Sequence, residues 1–441
     1  MRKELYEEYF KEKKVTVMGL GLLGRGVGDS QFLATHCGSV VVTDKKSSEE
    51  LRSSVGELSQ FNNITFRLGE HVGEDFENKD FILKAAGVSY DSEFILYAQK
   101  QKIPVYMSAA LLCSIIMDQL PDVTIIGVTG TRGKSTTTQL IAHVLQENGM
   151  KVHLGGNIRG VANLPLLDEV EDGDYVVLEL DSWQLQGFGD MKISPHIAVF
   201  TSFMDDHMNY YNNDKELYFS DKANIYRYQN EYDVLIASTQ AKEEIHKRDK
   251  KQELVESSPR KLQMKIIGEH NEVAAGLAYD VGTQCGLSDE EIDTAIATFK
   301  PVDGRLEDMG LFHGVRVFND NNATTGDATV AGIKAIEATY NKQPIVITGG
   351  ADKGLSKDTY EQYLKDHTQE VVYLAGTGTD TIALPKAHLH ERLEDCVRQA
   401  FSLAKEGDII LFSPGFASFS KYFNNEYERN DVFVREVKKL A

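Results

Sequence analysis

Val123-Thr-Ile-Ile-Gly-Val-Thr-Gly130-Thr131-Arg132-Gly133-Lys134-Ser135-Thr136 sets a glycine-rich turn between a β-branched run and a stretch of helical period. Strand, glycine turn and helix in that order make a phosphate-binding geometry. Successive backbone N–H groups at the turn and the helix N-terminus point at an anion. Lys134 adds a mobile positive charge for the β- and γ-phosphates, and the Ser135 hydroxyl can ligate Mg2+. The general GxxxxGK[ST] pattern is not met in full, because Val128 stands where its first glycine belongs.

Outward from this loop, short β-branched runs alternate with helical-period stretches along almost the whole chain, the mark of βαβ units and parallel sheets. A first set of strands is expected at Val15–Gly19, Ser39–Asp44, Ile64–Leu68, Phe81–Ala85 and Pro104–Tyr106. A second runs through Val123–Thr129, Lys151–Leu154, Tyr175–Leu180, His196–Thr201, Asp233–Ala237 and Leu262–Ile267. A third comprises Val315–Asp320, Pro344–Thr348, Val371–Ala375 and Asp408–Phe412. Loop signals at Pro121 and Pro301 separate the sets. The fold class is therefore α/β in three domains: a Rossmann-like N-terminal domain over 1–107, a central P-loop ATPase-type parallel-sheet domain over 108–300, and a C-terminal Rossmann-like domain over 301–441.

A chain of 441 residues exceeds what one core usually organises, which agrees with several domains. The formal charge of −20 argues against nucleic-acid or anionic-membrane surfaces, which need clustered Lys and Arg, so any phosphate must be held by local loops. Cys37, Cys113, Cys285 and Cys396 form no CxxC pair, which points away from a zinc site or a disulfide framework and toward a reduced cytoplasm. Met1–Lys14 reads as a short charged helix, and no segment approaches the roughly 18 apolar residues of a membrane span. The Lys/Glu-rich stretch Lys242–Lys261 reads as a solvated helix and loop. A soluble monomer is expected.

Other residues carry chemistry by position. Val176-Val-Leu-Glu179 puts a carboxylate at the end of a strand, where open α/β sheets bind ligands; by residue type it reads equally as a Mg2+ ligand or a solvated strand end. His207 and Lys222, taken alone, read as surface or structural residues, since Mg2+ prefers oxygen. Met18-Gly19-Leu-Gly21-Leu22-Leu23-Gly24, with Asp44 twenty residues on, fits the GxGxxG dinucleotide spacing and admits either an NAD or a UDP reading.

The loop Thr129–Thr136 is similar to TGTxGK[ST]T, the phosphate loop of the Mur ligases and the related folylpolyglutamate synthetases, and further segments extend the resemblance in order along the chain. Leu178-Glu179-Leu-Asp181-Ser-Trp-Gln184 resembles LELSSxQ with Asp181 for the first Ser, and Asp205-Asp206-His207-Met208 resembles the family's DHM. Lys222 stands where the family carries a carbamylated lysine. The resemblance assigns Gly130, Thr131, Gly133, Lys134, Ser135 and Thr136 to ATP, with Ser135, Glu179, His207 and Lys222 around Mg2+. Gly268-Glu-His270-Asn271 resembles the adenine-facing GxHNxxN segment, with Ala274 for its second Asn. Arg305 matches the Arg of HRxE that faces the ATP phosphates. Phe318-Asn-Asp320-Asn-Asn322-Ala-Thr324 resembles NDSKATN, with Asp320 for the ribose and Asn322 in place of Lys.

The same resemblance gives the first domain to a UDP-sugar, through Gly21, Leu22, Leu23, Asp44 and Lys45. Gln184 joins that set, with Asn157 of Gly155-Gly-Asn157-Ile158 against the muramoyl part; the following Arg159–Pro165 is longer than the family's segment. Lys353 of Gly349-Gly-Ala-Asp-Lys353, Ser418 of Ser413-Pro-Gly-Phe-Ala-Ser418 and Tyr427 of Tyr427-Glu-Arg-Asn-Asp431 resemble amino-acid-binding positions. The implied activity is ATP-dependent joining of D-glutamate to UDP-N-acetylmuramoyl-L-alanine through an acyl phosphate, with Lys134, His207 and Lys222 in catalysis and two Mg2+ ions. The alternatives are a Mur-type ligase for L-glutamate or another amino acid, and a nucleotide- and UDP-sugar-binding homologue without activity.

Overall fold

The computed structural model describes all residues except 1–2, 23, 209, 262–265, 419–422, 424 and 441. It divides into two compact units, one of residues 1–258 with 276–292 and another of 259–275 with 293–441. The segment around Asn271, which the sequence places with the central sheet, thus belongs to the second unit.

The first unit carries two sheets. β1 (Lys14–Met18), β2 (Ser39–Asp44), β3 (Ile64–Leu68), β4 (Phe81–Lys84) and β5 (Val105–Tyr106) form a parallel sheet in the order β3-β2-β1-β4-β5. The reversal of direction at β1 is a switch point, the place where such sheets open a crevice for ligands. β6 (Thr124–Thr129), β7 (Val152–Gly156), β8 (Tyr175–Glu179), β9 (Ile197–Phe200), β10 (Val234–Ser238) and β11 (Val255–Ser257) form the second parallel sheet, ordered β11-β10-β9-β6-β8-β7. One apolar cluster joins them, running from Val15 and Val42 through Leu111, Leu112 and Ile116 to Val176, Leu178 and Phe200. The Ser108–Gln119 helix makes this possible: Ala109 to Cys113, Ile115 and Ile116 are all buried, so it is apolar around most of its circumference.

The second unit holds β12 (Glu307–Phe312), β13 (Val315–Asn319), β14 (Ile345–Thr348), β15 (Glu370–Leu374), β16 (His388–His390) and β17 (Ile409–Phe412), ordered β12-β13-β17-β14-β15-β16. Its central strands are parallel and buried, with apolar clusters on both faces, one around Val317 and Phe433 and one around Ile333 and Leu411.

Three strands depart from the sequence expectations. The edge strand of the second sheet among the described residues is β11, within the stretch read as solvated helix and loop, and the strand expected at Leu262–Ile267 falls mostly outside the described residues. Residues 262–265 lie outside the described residues, while Ile266 is buried and Ile267 packs against the second unit's core without strand pairing. The third sheet gains β12, antiparallel to β13, and the short edge strand β16. No described helix is long and apolar enough to cross a membrane.

Candidate active site

Strand register gathers the phosphate loop and its neighbours at one sheet edge. β6 pairs with β8 so that Val128 lies beside Glu179, and β7 pairs with β8 so that Gly156 lies beside Glu179 as well. The loop is zipped to the segment after β9: Thr131 N donates to Ser202 O (2.7 Å) and Arg132 N to Ser202 Oγ (2.9 Å). The Thr131 hydroxyl donates to Met204 O (3.2 Å) and lies 3.3 Å from Tyr218 Oη. A Cβ on Gly130 would fall 2.0 Å from Thr201 Oγ1, so only glycine allows this approach.

Lys134 begins the Lys134–Glu147 helix and Ser135 and Thr136 follow it in the first turn, where helix N–H groups face an anion. The Lys134 ammonium donates to Gly130 O (2.9 Å) and Thr131 O (3.3 Å). Lys222, on the Lys215–Ala223 helix and 1% exposed, donates to the same Gly130 O (2.9 Å) and lies 5.0 Å from the centre of the Tyr218 ring. Burial, and then the nearby charge of Lys134, hold its pKa well below the ordinary lysine value. Two lysines far apart in sequence thus meet on one carbonyl. His207 has a left-handed φ of 54°, and its ring packs 5.0 Å from Trp183 and 6.3 Å from Tyr218. Glu179 is 6% exposed at the end of β8, and its carbonyl accepts from Asn157 N (2.7 Å).

A second focus is a cavity of about 200 Å3 at the switch point of the first sheet, lined among others by Gly21, Leu22, Arg25, Lys84, Ser108 and Gln184. Asp44 shapes it without reaching in: its carboxylate accepts from Gly21 N (3.0 Å) and Lys46 N (2.9 Å), fixing the glycine turn. Lys45 is exposed, and Leu23 lies outside the described residues. Asn157 accepts from Arg25 Nη1 (2.5 Å). Gln184 closes a capping box with Asp181, its N–H donating to Asp181 Oδ1 (2.8 Å) and its Oε1 accepting from Asp181 N (3.3 Å). The Asp181 departure thereby has a structural reason, since Asp is a strong N-cap. Asp29, buried, accepts from Asn163 N (3.0 Å) and Leu164 N (2.9 Å), which ties the long Arg159–Pro165 segment to the first sheet's Arg25–His36 helix.

Within the second unit, the loop after β14 and the loop after β17 are joined by an Ala351–Ala417 bridge (3.0 and 3.1 Å). This bridge brings Lys353 and Ser418 onto paired loops. Lys353 Nζ donates to Thr324 Oγ1 (3.1 Å), while Ser418 is 4% exposed. Tyr427 sits in the first turn of the Glu426–Lys439 helix. Asp320 accepts from Leu306 N (3.1 Å) and the Ser413 hydroxyl (2.9 Å), and so anchors the segment carrying Arg305. Asn271 turns its amide onto Ile267 O (2.7 Å).

Sequence reasoning gave no role to Arg429, which is 0% exposed. Its guanidinium donates to Asn321 Oδ1 (2.9 Å), Asn321 O (2.7 Å) and Phe416 O (3.2 Å), pinning the loops after β13 and β17 to the last helix. Burial pushes its pKa down to about 10, a cost of about 3 kcal/mol that truncation would relieve. Truncation would also strand three oxygens at about 1–3 kcal/mol each. We expect Arg429→Met to lose about 2–4 kcal/mol of second-unit stability, read by urea-dependent hydrogen exchange in β13 and β17; an unshifted midpoint would remove Arg429 from this role.

The comparisons with known proteins agree with this geometry. The Mur ligase middle domain model matches residues 128–271. The UDP-N-acetylmuramoylalanine--D-glutamate ligase of Borreliella afzelii (strain PKo) is 30% identical over 461 aligned residues, covering 98% of this chain and 99% of that protein. The protein of the same name from Koribacter versatilis (strain Ellin345) is 31% identical over 460 residues, covering 97% and 98%. Among solved structures, the UDP-N-acetylmuramate-alanine ligase MurC of Thermotoga maritima aligns with a TM-score of 0.63 at 18% identity, covering 97% of this chain and 100% of that one, which bears on the fold alone. Relatives of this identity that match almost from end to end, together with a phosphate loop and strand ends arranged as above, place the chain in the Mur ligase family.

Proposed function

We propose that this protein joins D-glutamate to UDP-N-acetylmuramoyl-L-alanine, splitting ATP to ADP and phosphate. The observation that carries the reading is the meeting of Lys134 and Lys222 on Gly130 O, in a unit that also holds a cavity at the switch point of the first sheet. We assign the regions 1–107, 108–300 and 301–441 to UDP-sugar, ATP and amino acid. The cavity residues Gly21, Leu22 and Gln184, with Asp44, Lys45 and Asn157, serve the UDP-substrate. Gly130 to Thr136 serve the ATP phosphates, and Lys353, Ser418 and Tyr427 serve D-glutamate. In the second unit Asn271, Arg305 and Asp320 are assigned to nucleotide. The free thiols, three of them buried, suit a reduced cytoplasm, and a monomer carries all these parts.

Chemically the donor set fits Mg2+ in part. Ser135 offers a hydroxyl and Glu179 a largely buried carboxylate; a carbamate on Lys222 would add a second carboxylate, whereas His207 is the poorest match for an ion that prefers oxygen. The described residues contain no group of three or more His, Cys, Asp or Glu side chains placed to hold a metal ion. Bound there, Mg2+ neutralises phosphate charge.

A carboxylate is a poor acyl donor and must be activated. An oxygen of the L-alanine carboxylate attacks the γ-phosphorus, and the bond to ADP breaks with its electron pair leaving on ADP. Lys134 exchanges its carbonyl partners for phosphate oxygens and follows the charge as it develops. The D-glutamate amine then attacks the acyl carbon, phosphate leaves, and the amine gives up a proton to yield the amide. Most of the acceleration is positioning and charge neutralisation.

The test is ATP-dependent phosphate release with UDP-N-acetylmuramoyl-L-alanine and D-glutamate, L-glutamate or no amino acid, with the dipeptide product followed by mass. Release and product with D-glutamate alone are expected. Product with the L-isomer only would reassign the amino acid, and silence with every amino acid would reject ligation.

A further inference from the structure

Lys84 ends β4 with 2% of its surface exposed, after three buried apolar residues, Phe81, Ile82 and Leu83. Its ammonium donates to Val88 O (2.8 Å), lies 4.2 Å from the centre of the Tyr90 ring, and forms no ion pair among the described residues. A buried ammonium held only by one carbonyl and one ring is costly to keep charged. Burial pushes its pKa down to about 7, against the attraction of Asp190 and Asp181.

Its surroundings point to an anion. Lys84 lines the 200 Å3 cavity together with Gly19, Gly21 and Arg25. The glycine turn and the loop after β4 touch, since a Cβ on Gly19 would lie 2.9 Å from the Ala85 Cβ. The charged and titratable groups facing Lys84 are few: Tyr90 on its own loop, hydrogen-bonded to Asp190; Asp190 and Asp181 from the segment of the Ser182–Met191 helix; and Arg25 and Asp29 across the cavity. Asp29 is already bonded to Asn163 N and Leu164 N.

We propose that Lys84 is a substrate-binding residue whose ammonium takes an anionic oxygen of the UDP-muramoyl substrate, from its diphosphate or its terminal carboxylate, in the cavity between the glycine turn and the loop after β4. The inference rests on the ligase reading above. An anion at Nζ favours the charged form, so binding raises the pKa of Lys84 and takes up a proton above about pH 7. Affinity then falls as pH rises from that value toward the pKa of the complex.

Titration calorimetry with UDP and with UDP-N-acetylmuramoyl-L-alanine, near pH 8 in two buffers of different ionisation heat, separates this from a loop-holding role. The unaltered protein is expected to bind with proton uptake. Lys84→Met should bind about 10- to 100-fold more weakly without uptake, and Lys84→Arg should bind without uptake because guanidinium does not titrate there. ADP binding unchanged in both variants reports an intact phosphate loop. Weakening already seen with UDP assigns the contact to the diphosphate; weakening seen only with the full substrate assigns it to the carboxylate. Unchanged affinity and proton uptake in Lys84→Met overturn this inference alone, whereas no binding of either uridine compound to the unaltered protein overturns the substrate reading with it.

Discussion

Lys222→Met is expected to lower the rate of ADP-forming amide synthesis by about a hundred- to a thousandfold while leaving the folded first unit intact. Lys222 is 1% exposed, its ammonium has Gly130 O as a hydrogen-bond acceptor, and Lys134 competes for that same oxygen. Both effects disfavour the charged amine, burial more than the neighbour. A neutral amine is a nucleophile for carbon dioxide: the C–N bond forms, one proton leaves, and a carbamate results. That carbamate keeps one N–H for Gly130 O and adds two oxygens that share one negative charge, the chemistry Mg2+ prefers. Methionine preserves the apolar stem, so the core around Tyr218 and Phe219 should survive. Two measurements check the proposal. Intact-protein mass in bicarbonate should show one added carboxyl group that is absent from Lys222→Met, and activity of the unaltered protein should fall when carbon dioxide is removed. A Lys222→Met protein of undiminished rate would end the catalytic assignment.

Much of the architecture was legible because parallel strands buried in the middle of a sheet are written as β-branched runs, as in Ser39–Asp44, where the expected bounds are the observed ones. The hairpin β12–β13 was not. Its two-residue turn is His313-Gly314, with φ of 50° and 77°, a primed turn without the Asn-Gly or Asp-Gly signal, and Gly310 interrupts the strand before it. β11 has only three residues, two of them polar or charged, and carries no readable period. The phosphate loop could be read since its function lies in local backbone geometry. Lys84 and Arg429 could not: a lysine closing a strand, and an arginine in the charged helix Glu426–Lys439, look like solvent residues until packing buries them. For Lys84 the one available signal was its place directly after Phe81-Ile-Leu, where a strand buried along its length has no reason to end in a cation unless something meets it.

Gly130→Ala should be a severely damaging single-methyl change, and Gly133→Ala, three residues on, should be much milder. At Gly130 the added Cβ would sit 2.0 Å from Thr201 Oγ1 and 2.8 Å from Ser202 N, on a backbone with φ of +145°. The clash is with backbone and with a hydroxyl already bonded to Arg132 O, so no flexible side chain can move aside. Overpacking and backbone strain together cost about 2–5 kcal/mol. At Gly133 the nearest atom is 3.6 Å away, an ordinary contact, leaving only the strain of φ +85°, about 1 kcal/mol. The function should follow the same order. Relief at Gly130 requires the loop to part from Ser202, breaking the Thr131 N–Ser202 O and Arg132 N–Ser202 Oγ bonds that aim its N–H groups, and Gly130 O would shift under both lysines. We expect ADP affinity to fall more than about a hundredfold in Gly130→Ala, the loss of two charge-assisted contacts, and less than about tenfold in Gly133→Ala. Urea midpoints and ADP titrations on the two variants measure both quantities. Equal losses at the two positions would mean that the contact with Thr201 and Ser202 does not set the shape of the loop.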